Sequence, residues 1–283
     1  MSSVKVNNIT KCYKDVTALK DFSVTFEEGK IYGLLGRNGA GKSTLLNLIT
    51  NRIFPTSGEA TVDGENVLEN DSALSKIYGM SEKNVYPEEF KVKAAFKWTK
   101  EFYPDFDMDY AKELSKKFSL DINKKLKGLS TGYTSIAKVI MALASNAPII
   151  LLDEPVLGLD ANHRDLFYKL LVEDYSKNPR TIVISTHLIE EVATVIEQVV
   201  IVKNGEKILD EPTETVLSKG YSVSGPAVKV DEYSKGRQII GEDSIGGLKT
   251  AHIMGTPDKG MLPDGLEMTR LDLQKLFIQL TNS

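Results

Sequence analysis

Hydrophobic and polar residues alternate near the start of the chain, whereas further along the hydrophobic residues form short continuous runs. The alternation in residues 1–30 predicts antiparallel strands, because successive side chains of a strand point to opposite faces. Continuous apolar runs predict strands buried on both faces, and they occupy residues 30–35, 148–152, 180–185 and 199–202. Two segments with apolar residues at helical spacing, at about 162–176 and 188–197, lie between the last three runs and predict helices. This half of the chain is therefore expected to form a parallel α/β sheet.

The middle and the end of the chain have other patterns. Apolar residues recur at helical spacing through about residues 83–145, which predicts a helical insert. The C-terminal part is rich in glycine and proline and has short apolar periods, until an amphipathic helix is predicted over 270–280. The predicted domains are 1–218, which contains the insert, and 219–283, a C-terminal extension of unknown role.

Composition and charge narrow the class of protein. The 283 residues are 41% hydrophobic and 26% charged, as in an ordinary globular protein. The net charge of −4 gives no support to nucleic acid as a partner, and none is expected. The single cysteine, Cys12, cannot form an internal disulfide. The sequence has no signal-peptide pattern and no apolar run near the ~20 residues that span a bilayer, so we expect another chain to supply any membrane span.

A glycine-rich segment joins the first buried run to a predicted helix. It consists of Gly36, Arg37, Asn38, Gly39, Ala40, Gly41, Lys42 and Ser43, and Thr44 follows. The glycines let successive backbone N–H groups point at one anion, and the helix adds the positive end of its dipole. We expect Lys42 to reach the β- and γ-phosphates of a nucleoside triphosphate and Ser43 to ligate Mg²⁺. The alternative is a glycine-rich turn that only begins a helix. Such a turn would not explain why a buried strand, the eight-residue motif and a helix follow one another in this order.

Two carboxylates follow the apolar run at 148–152. Ligands of α/β sheets bind at the carboxyl ends of the strands, so we expect Asp153 to hold the Mg²⁺ shell and Glu154 to orient the attacking water. His187 follows the next run and is expected near the γ-phosphate. A solvated strand exit is the alternative for the two carboxylates. The other histidines, His163 and His252, are interpreted as surface or packing residues.

A third segment, Leu129-Ser130-Thr131-Gly132-Tyr133, precedes another predicted helix. Ser130 is expected to cap this helix, and Gly132 permits close backbone approach to an anion. By itself the segment is only a capped helix. In order along the chain, however, the segments resemble the motifs of ABC-transporter ATP-binding subunits over about residues 3–215. The Walker A, signature, Walker B, D-loop and H-loop motifs are similar to residues 36–43, 129–133, 151–155, 158–160 and 185–187.

This resemblance implies a fold and a mechanism. The fold is a P-loop NTPase α/β core with a parallel sheet, an N-terminal antiparallel β subdomain, a helical insert and a small C-terminal extension. The cofactors are ATP and Mg²⁺, and Tyr13 stacks on the adenine. Ser130 and Gly132, with Asp160 of the D-loop, contact the nucleotide of a second ATP-binding subunit, either the same chain or a paralogue. A membrane-spanning transporter subunit is the other partner, which places the chain at the cytoplasmic face of the cell membrane.

Two positions depart from the motifs of this family. Glu82 stands where the family's Q-loop usually has glutamine. A carboxylate there is expected either to ligate Mg²⁺ more strongly than an amide or to repel the phosphates when the metal is absent. Tyr133 stands where the signature usually ends in glutamine, which changes how that segment contacts its nucleotide. The overall pattern resembles most the bacterial exporters of the bacitracin-resistance and peptide-toxin type, and a hydrophobic or amphipathic peptide or antibiotic is the substrate that this implies.

Other classes of ATPase share parts of this pattern. A soluble ABC-type ATPase acting on ribosomes or nucleic acid is one alternative, but the chain has one cassette and no extended heptads. A small-molecule kinase with a phosphate loop is another, and the segments at 129–133 and 155–160 argue against it. An importer ATPase is a third alternative, because importers and exporters share these motifs.

Overall fold

The computed structural model describes residues 2–83, 85–257 and 262–282. The chain divides into two compact units. The first comprises Met1–His187 and Val200–Asp210, and the second comprises Leu188–Val199 and Glu211–Ser283. The sequence-based boundary after residue 218 stays a prediction, and the second unit of the structure already includes the residues from 211 onward.

An antiparallel sheet begins the chain, as the alternating pattern predicts. Its strands are β1 (Val4–Tyr13), β2 (Val16–Phe26), β4 (Ser57–Val62) and β5 (Glu65–Asn66), in the order β2-β1-β4-β5. β1 pairs antiparallel with both β2 and β4. The apolar residues of these strands are buried together, among them Val4, Val6, Phe22, Phe26 and Val62.

The second sheet holds the four strands that the continuous apolar runs predict, β3 (Ile31–Leu35), β7 (Ile149–Asp153), β8 (Thr181–Thr186) and β9 (Gln198–Lys203). Two further strands, β6 (Ile77–Met80) and β10 (Glu206–Pro212), complete it in the order β10-β9-β3-β8-β7-β6. β3 pairs parallel with β8, β8 with β7, and β7 with β6. Every residue of β3, β7 and β8 is buried. The carboxyl ends of these three strands therefore lie side by side.

Helices connect these strands. They are α1 (Lys42–Ile49), α2 (Asp71–Leu74), α3 (Val92–Phe102), α4 (Met108–Lys117), α5 (Thr131–Ala144), α6 (Ala161–Lys177) and α7 (Ile189–Val192), with a 3₁₀ turn at Leu126–Gly128. The helix predicted over 188–197 is wrong in length, because α7 ends at Val192. The β-branched residues Thr194, Val195 and Ile196 follow directly, and such side chains lose rotamer freedom in a helix.

The C-terminal residues form an antiparallel sheet of their own. Its strands are β11 (Gly220–Pro226), β12 (Gln238–Ile245), β13 (Leu248–Met254) and β14 (Glu267–Arg270), and its helices are α8 (Thr213–Lys219), α9 (Ala227–Ser234) and α10 (Leu273–Asn282). The helix predicted from residue 270 begins at Leu273, because Arg270 still pairs with Tyr221 in the sheet. His252 is buried and bonds with Ser222 and Asp243, so it is a packing residue. None of the helices in the described residues is long and apolar enough to cross a membrane.

Candidate active site

The glycine-rich loop between β3 and α1 has no room for side chains at two positions. A Cβ on Gly36 would lie 2.8 Å from the carbonyl oxygen of Val202, and one on Gly41 would lie 2.6 Å from that of Ala18. Gly41 also has a φ of +110°, which favours glycine. The backbone of the loop is therefore held in one path that leads into the first turn of α1, where Ser43 is exposed to solvent.

Lys42 lies inside this loop, and its side chain is only 6% exposed. Its Nζ donates to the carbonyl oxygens of Gly36 at 2.7 Å and Arg37 at 3.3 Å, and it lies 3.9 Å from Oε1 of Glu154. Burial lowers the pKa of Lys42, whereas Glu154 and Asp153 raise it and oppose that effect. The ammonium thus lies between the phosphate loop and the carboxylates that follow β7.

Asp153 and Glu154 meet the end of β8. Oγ of Ser185 donates to Oδ1 of Asp153 at 2.9 Å, and the amide of Glu154 donates to the carbonyl of Ser185 at 2.8 Å. Oε1 of Glu154 lies 3.0 Å from Nδ1 of His187, and Oε2 accepts from the hydroxyl of Thr186 at 3.3 Å. Glu154 has a φ of +47°, and this left-handed backbone turns its side chain out of the strand direction. The structure therefore brings together Lys42, Asp153, Glu154 and His187.

A polar cavity of about 360 Å³ extends from these carboxylates to Glu82. Its lining residues include Glu82, Ser135, Lys138, Asp153 and Glu154. Nζ of Lys138 donates to the carbonyl oxygens of Ser81, at 3.0 Å, and Glu82. Half-burial lowers the pKa of Lys138, and the charge of Glu82 opposes this. The sequence analysis missed Lys138, although a single lysine among the apolar residues of the predicted helix was a usable signal.

The signature-like segment contacts the D-loop-like segment in the same chain. A Cβ on Gly132 would lie 2.4 Å from the carbonyl oxygen of Gly158, so the two backbones touch. Oγ of Ser130 accepts from the amide of Tyr133 at 3.3 Å and caps α5, as the sequence predicts. Asp160 caps α6 in the same way, accepting from the amide of His163 at 2.9 Å. The hydroxyl of Ser130 and the carboxylate of Asp160 therefore each accept a hydrogen bond from the helix that they cap.

Tyr13 lies at the end of β1, with 45% of its surface exposed. Nζ of Lys11 lies 4.9 Å from the centre of the Tyr13 ring. An exposed aromatic ring of this kind suits stacking on an aromatic ligand.

Magnesium can be held here without a closed protein cage. In the described residues, no group of three or more histidine, cysteine, aspartate or glutamate side chains is placed to hold a metal ion. Mg²⁺ usually keeps several waters and binds through one or two carboxylates together with substrate phosphates. Asp153, fixed by Ser185, and the exposed hydroxyl of Ser43 suit that type of site.

Known proteins resemble this chain in sequence and in fold. A family model described as ABC transporter matches residues 19–157. The ATP-binding protein YtrB of Bacillus subtilis (strain 168) is 33% identical over 67% of this chain and 65% of its own length. The petrobactin import ATP-binding protein YclP of the same organism is 31% identical over 81% of this chain and 96% of its own length.

The chain belongs to the ABC transporter ATP-binding family. Among solved structures, the dimeric post-hydrolysis state of the ATP-binding cassette MJ0796, bound to ADP and Pi, is 28% identical, with a TM-score of 0.67 over 74% of this chain and 98% of that one. The cofactors of the cassette are therefore ATP and Mg²⁺, its activity is ATP hydrolysis, and its core has the fold that the sequence predicts. The ABC transporter ATP-binding family works with membrane-spanning components and forms dimers.

Proposed function

We propose that this cassette powers a membrane exporter by hydrolysing ATP between two paired cassettes. The observation that carries the proposal is the position of Glu154. Its carboxylate lies 3.9 Å from the ammonium of Lys42 and bonds to His187 and Thr186. A carboxylate held beside the phosphate-binding lysine suits the group that orients a water for attack on the γ-phosphate.

Each group of the site has one task in this proposal. The loop from Gly36 to Ser43 holds the phosphates, and the ammonium of Lys42 neutralises charge on the β- and γ-phosphates. Asp153, Ser43 and Glu82 hold Mg²⁺, which neutralises phosphate charge when it is bound. Glu154 accepts the proton of the attacking water. His187 holds the carboxylate of Glu154 in place and senses the γ-phosphate.

Two cassettes complete each nucleotide site in this proposal. The remaining loop residues Arg37, Asn38, Gly39, Ala40 and Gly41 and the helix residue Thr44 hold the phosphates from one side. Ser130, Gly132 and Asp160 approach the same nucleotide from a second chain, which is identical or a paralogue. Tyr13 stacks on the adenine. Loss of the γ-phosphate bridge then loosens the pair.

The membrane-spanning partner is proposed to bind the helical insert on the cytoplasmic face of the membrane. Phe96 is fully buried and belongs to the core of the insert. Trp98 is 50% exposed, with ring centres 5.8 Å from Phe90 and 6.2 Å from Phe102. Exposed aromatic side chains are enriched at protein interfaces, so this row suits a partner surface.

Import is the second candidate direction, because the petrobactin relative carries an import name. Export is proposed from the resemblance of the motifs, including Glu82 at the Q-loop position. A transport assay distinguishes the two directions in proteoliposomes that contain the membrane subunit and whose cassettes face outward. On addition of external Mg-ATP, an exporter accumulates a labelled amphipathic peptide in the lumen. Release of substrate preloaded in the lumen would instead establish import.

Light scattering on Glu154→Gln tests the shared part of the proposal. We expect this variant to bind ATP, to lose most hydrolysis, and to change from monomer to dimer only when Mg-ATP is added. Glu113→Gln, on the exposed face of α4, is the matched control and should hydrolyse ATP like the parent chain. Steady-state hydrolysis by Glu154→Gln at the parent rate would refute the role of Glu154.

A further inference from the structure

The side chain of His163 joins three segments of the first unit. Its ring stacks on Phe118, at the end of α4, with centres 6.2 Å apart and planes at 25°. On another side it meets the ring of Tyr133 edge-on, with centres 6.0 Å apart and planes at 64°. Its Nδ1 lies 2.9 Å from Oδ2 of Asp160, whose Oδ1 accepts from the amide of His163.

These contacts connect parts of the site that were distinct in the sequence. Phe118 is fully buried, so it fixes one side of the imidazole firmly to the helical insert. Tyr133 lies in the first turn of α5, three residues after Ser130. Asp160 is the cap of α6, and the hydrogen bonds from His163 lower the pKa of its carboxyl. Insert, signature segment and D-loop therefore meet at one imidazole.

The backbone contact between Gly132 and Gly158 cannot hold these segments in register by itself. The two glycines offer no side chain that resists sliding, and one hydrogen bond joins the segments beside them, from Oγ of Ser135 to the carbonyl oxygen of Leu157 at 2.8 Å. The aromatic contact lies directly beside that backbone contact, since Tyr133 follows Gly132. A tyrosine ring packed on His163 adds a second lateral restraint, which a flexible polar amide at the same position would supply less well.

We propose that His163 is a positioning residue, and that with Tyr133 it fixes the signature segment to the D-loop. Ser130, Gly132 and Asp160 are then presented to the nucleotide of the second cassette as one rigid unit. This proposal rests on the proposed function, because those three residues act on the site of the partner. Tyr133 thus has a defined role in the position where the family usually carries glutamine.

The ring contact between Tyr133 and His163 limits how far either substitution can weaken pairing of the cassettes. An edge-to-face aromatic pair contributes about 0.5–1.5 kcal/mol beyond its buried area, which is a factor of about 2 to 12 in an equilibrium constant. In the Glu154→Gln background, Tyr133→Ala or His163→Ala should weaken Mg-ATP-dependent pairing by about that factor for each of the two sites. Tyr133→Phe keeps the ring and should pair like the parent.

Hydrogen exchange in the nucleotide-free monomer tests the proposal without any pairing. The amide of Arg164 bonds to the carbonyl of Asp160, and that of Leu159 bonds to the carbonyl of Val156. We expect exchange across 156–165 to rise in Tyr133→Ala and to stay at the parent level in Tyr133→Phe. Val172→Ala, an exposed change on α6, is the matched control. Affinity for fluorescent ATP should stay unchanged in all of them, because their own phosphate loop is intact.

The outcomes separate this proposal from the proposed function. Parental exchange across 156–165 in both Tyr133→Ala and His163→Ala would overturn the positioning role, whatever the pairing result. Raised exchange together with weakened pairing, both reversed in Tyr133→Phe, would establish it. Hydrolysis by Glu154→Gln at the parent rate would refute the proposed function, and the exchange comparison would still decide the role of His163.

Discussion

Lys138 holds the segment that carries Glu82, and replacing it with methionine isolates that contact. Methionine has nearly the same length and keeps an unbranched apolar stem at this position of α5. On α5, which carries Lys138, this change removes the two hydrogen bonds from Nζ to the carbonyl oxygens of Ser81 and Glu82. Lys138→Met should therefore release the backbone on both sides of the Glu82 side chain without disturbing the helix.

The free energy lost in Lys138→Met depends on the number of hydrogen bonds removed and on how far solvent reaches them. A hydrogen bond to a charged group contributes about 1.5–3 kcal/mol net, so two would give up to about 6 kcal/mol. Lys138 is half-buried, and burial already lowers its pKa, so solvent screening and desolvation reduce this total. We take the net value as about 1.5 kcal/mol, which is roughly a tenfold change in the population of the held segment.

Steady-state ATP hydrolysis and hydrogen exchange measure this prediction together. We expect kcat to fall about tenfold, since the proposed role of Glu82 in holding Mg²⁺ requires the segment to be in place, while KM for Mg-ATP stays within about twofold. Exchange across 81–83 should rise in parallel. Lys116→Met, at an exposed position of α4, is the matched control. Parental kcat with unchanged exchange across 81–83 would show that Lys138 does not hold the segment.

Two further substitutions test other parts of the first unit. Lys42→Ala should weaken binding of fluorescent ATP about tenfold to a hundredfold, because charged hydrogen bonds to the phosphates are lost, and full affinity would remove Lys42 from the site. Arg180 donates to the carboxylate of Asp174 in the interior, where burial raises the pKa of Asp174 and Arg180 opposes this. Arg180→Met should lower the free energy of unfolding by about 3–5 kcal/mol in urea, and Asp174→Leu in the same chain should recover much of the loss. Equal stability of Arg180→Met and the parent would contradict this.

Much of the core could be predicted because its signals are local. The strands that end at Leu35, Asp153 and Thr186 are continuous apolar runs, and the carboxyl ends of adjacent parallel strands must meet. The order of the motifs then places Lys42 beside Glu154. No property of the folded chain beyond this register is needed to predict that contact.

Other features depend on contacts between residues that are distant in sequence. The role of Lys138 depends on where the segment after β6 lies, and nothing near Lys138 in the sequence specifies that position. His163 seemed to be only a surface or packing residue, because Phe118 and Tyr133 come from two different helices. The sequence also does not predict the sheet of β11 to β14, since β12 and β14 bury few side chains and therefore lack a clear alternation of apolar and polar residues.

The left-handed backbone conformation of Glu154 lowers the stability of the fold, whereas its carboxylate carries the proposed activity. A side chain other than glycine in that conformation is less stable by about 1–2 kcal/mol than in the right-handed region. Glycine would fit the local geometry better and would remove the carboxylate that contacts His187 and Thr186. Selection for folding alone would therefore favour loss of the side chain. The glutamate at this position therefore gives up that increment of stability for the carboxylate that the proposed hydrolysis requires.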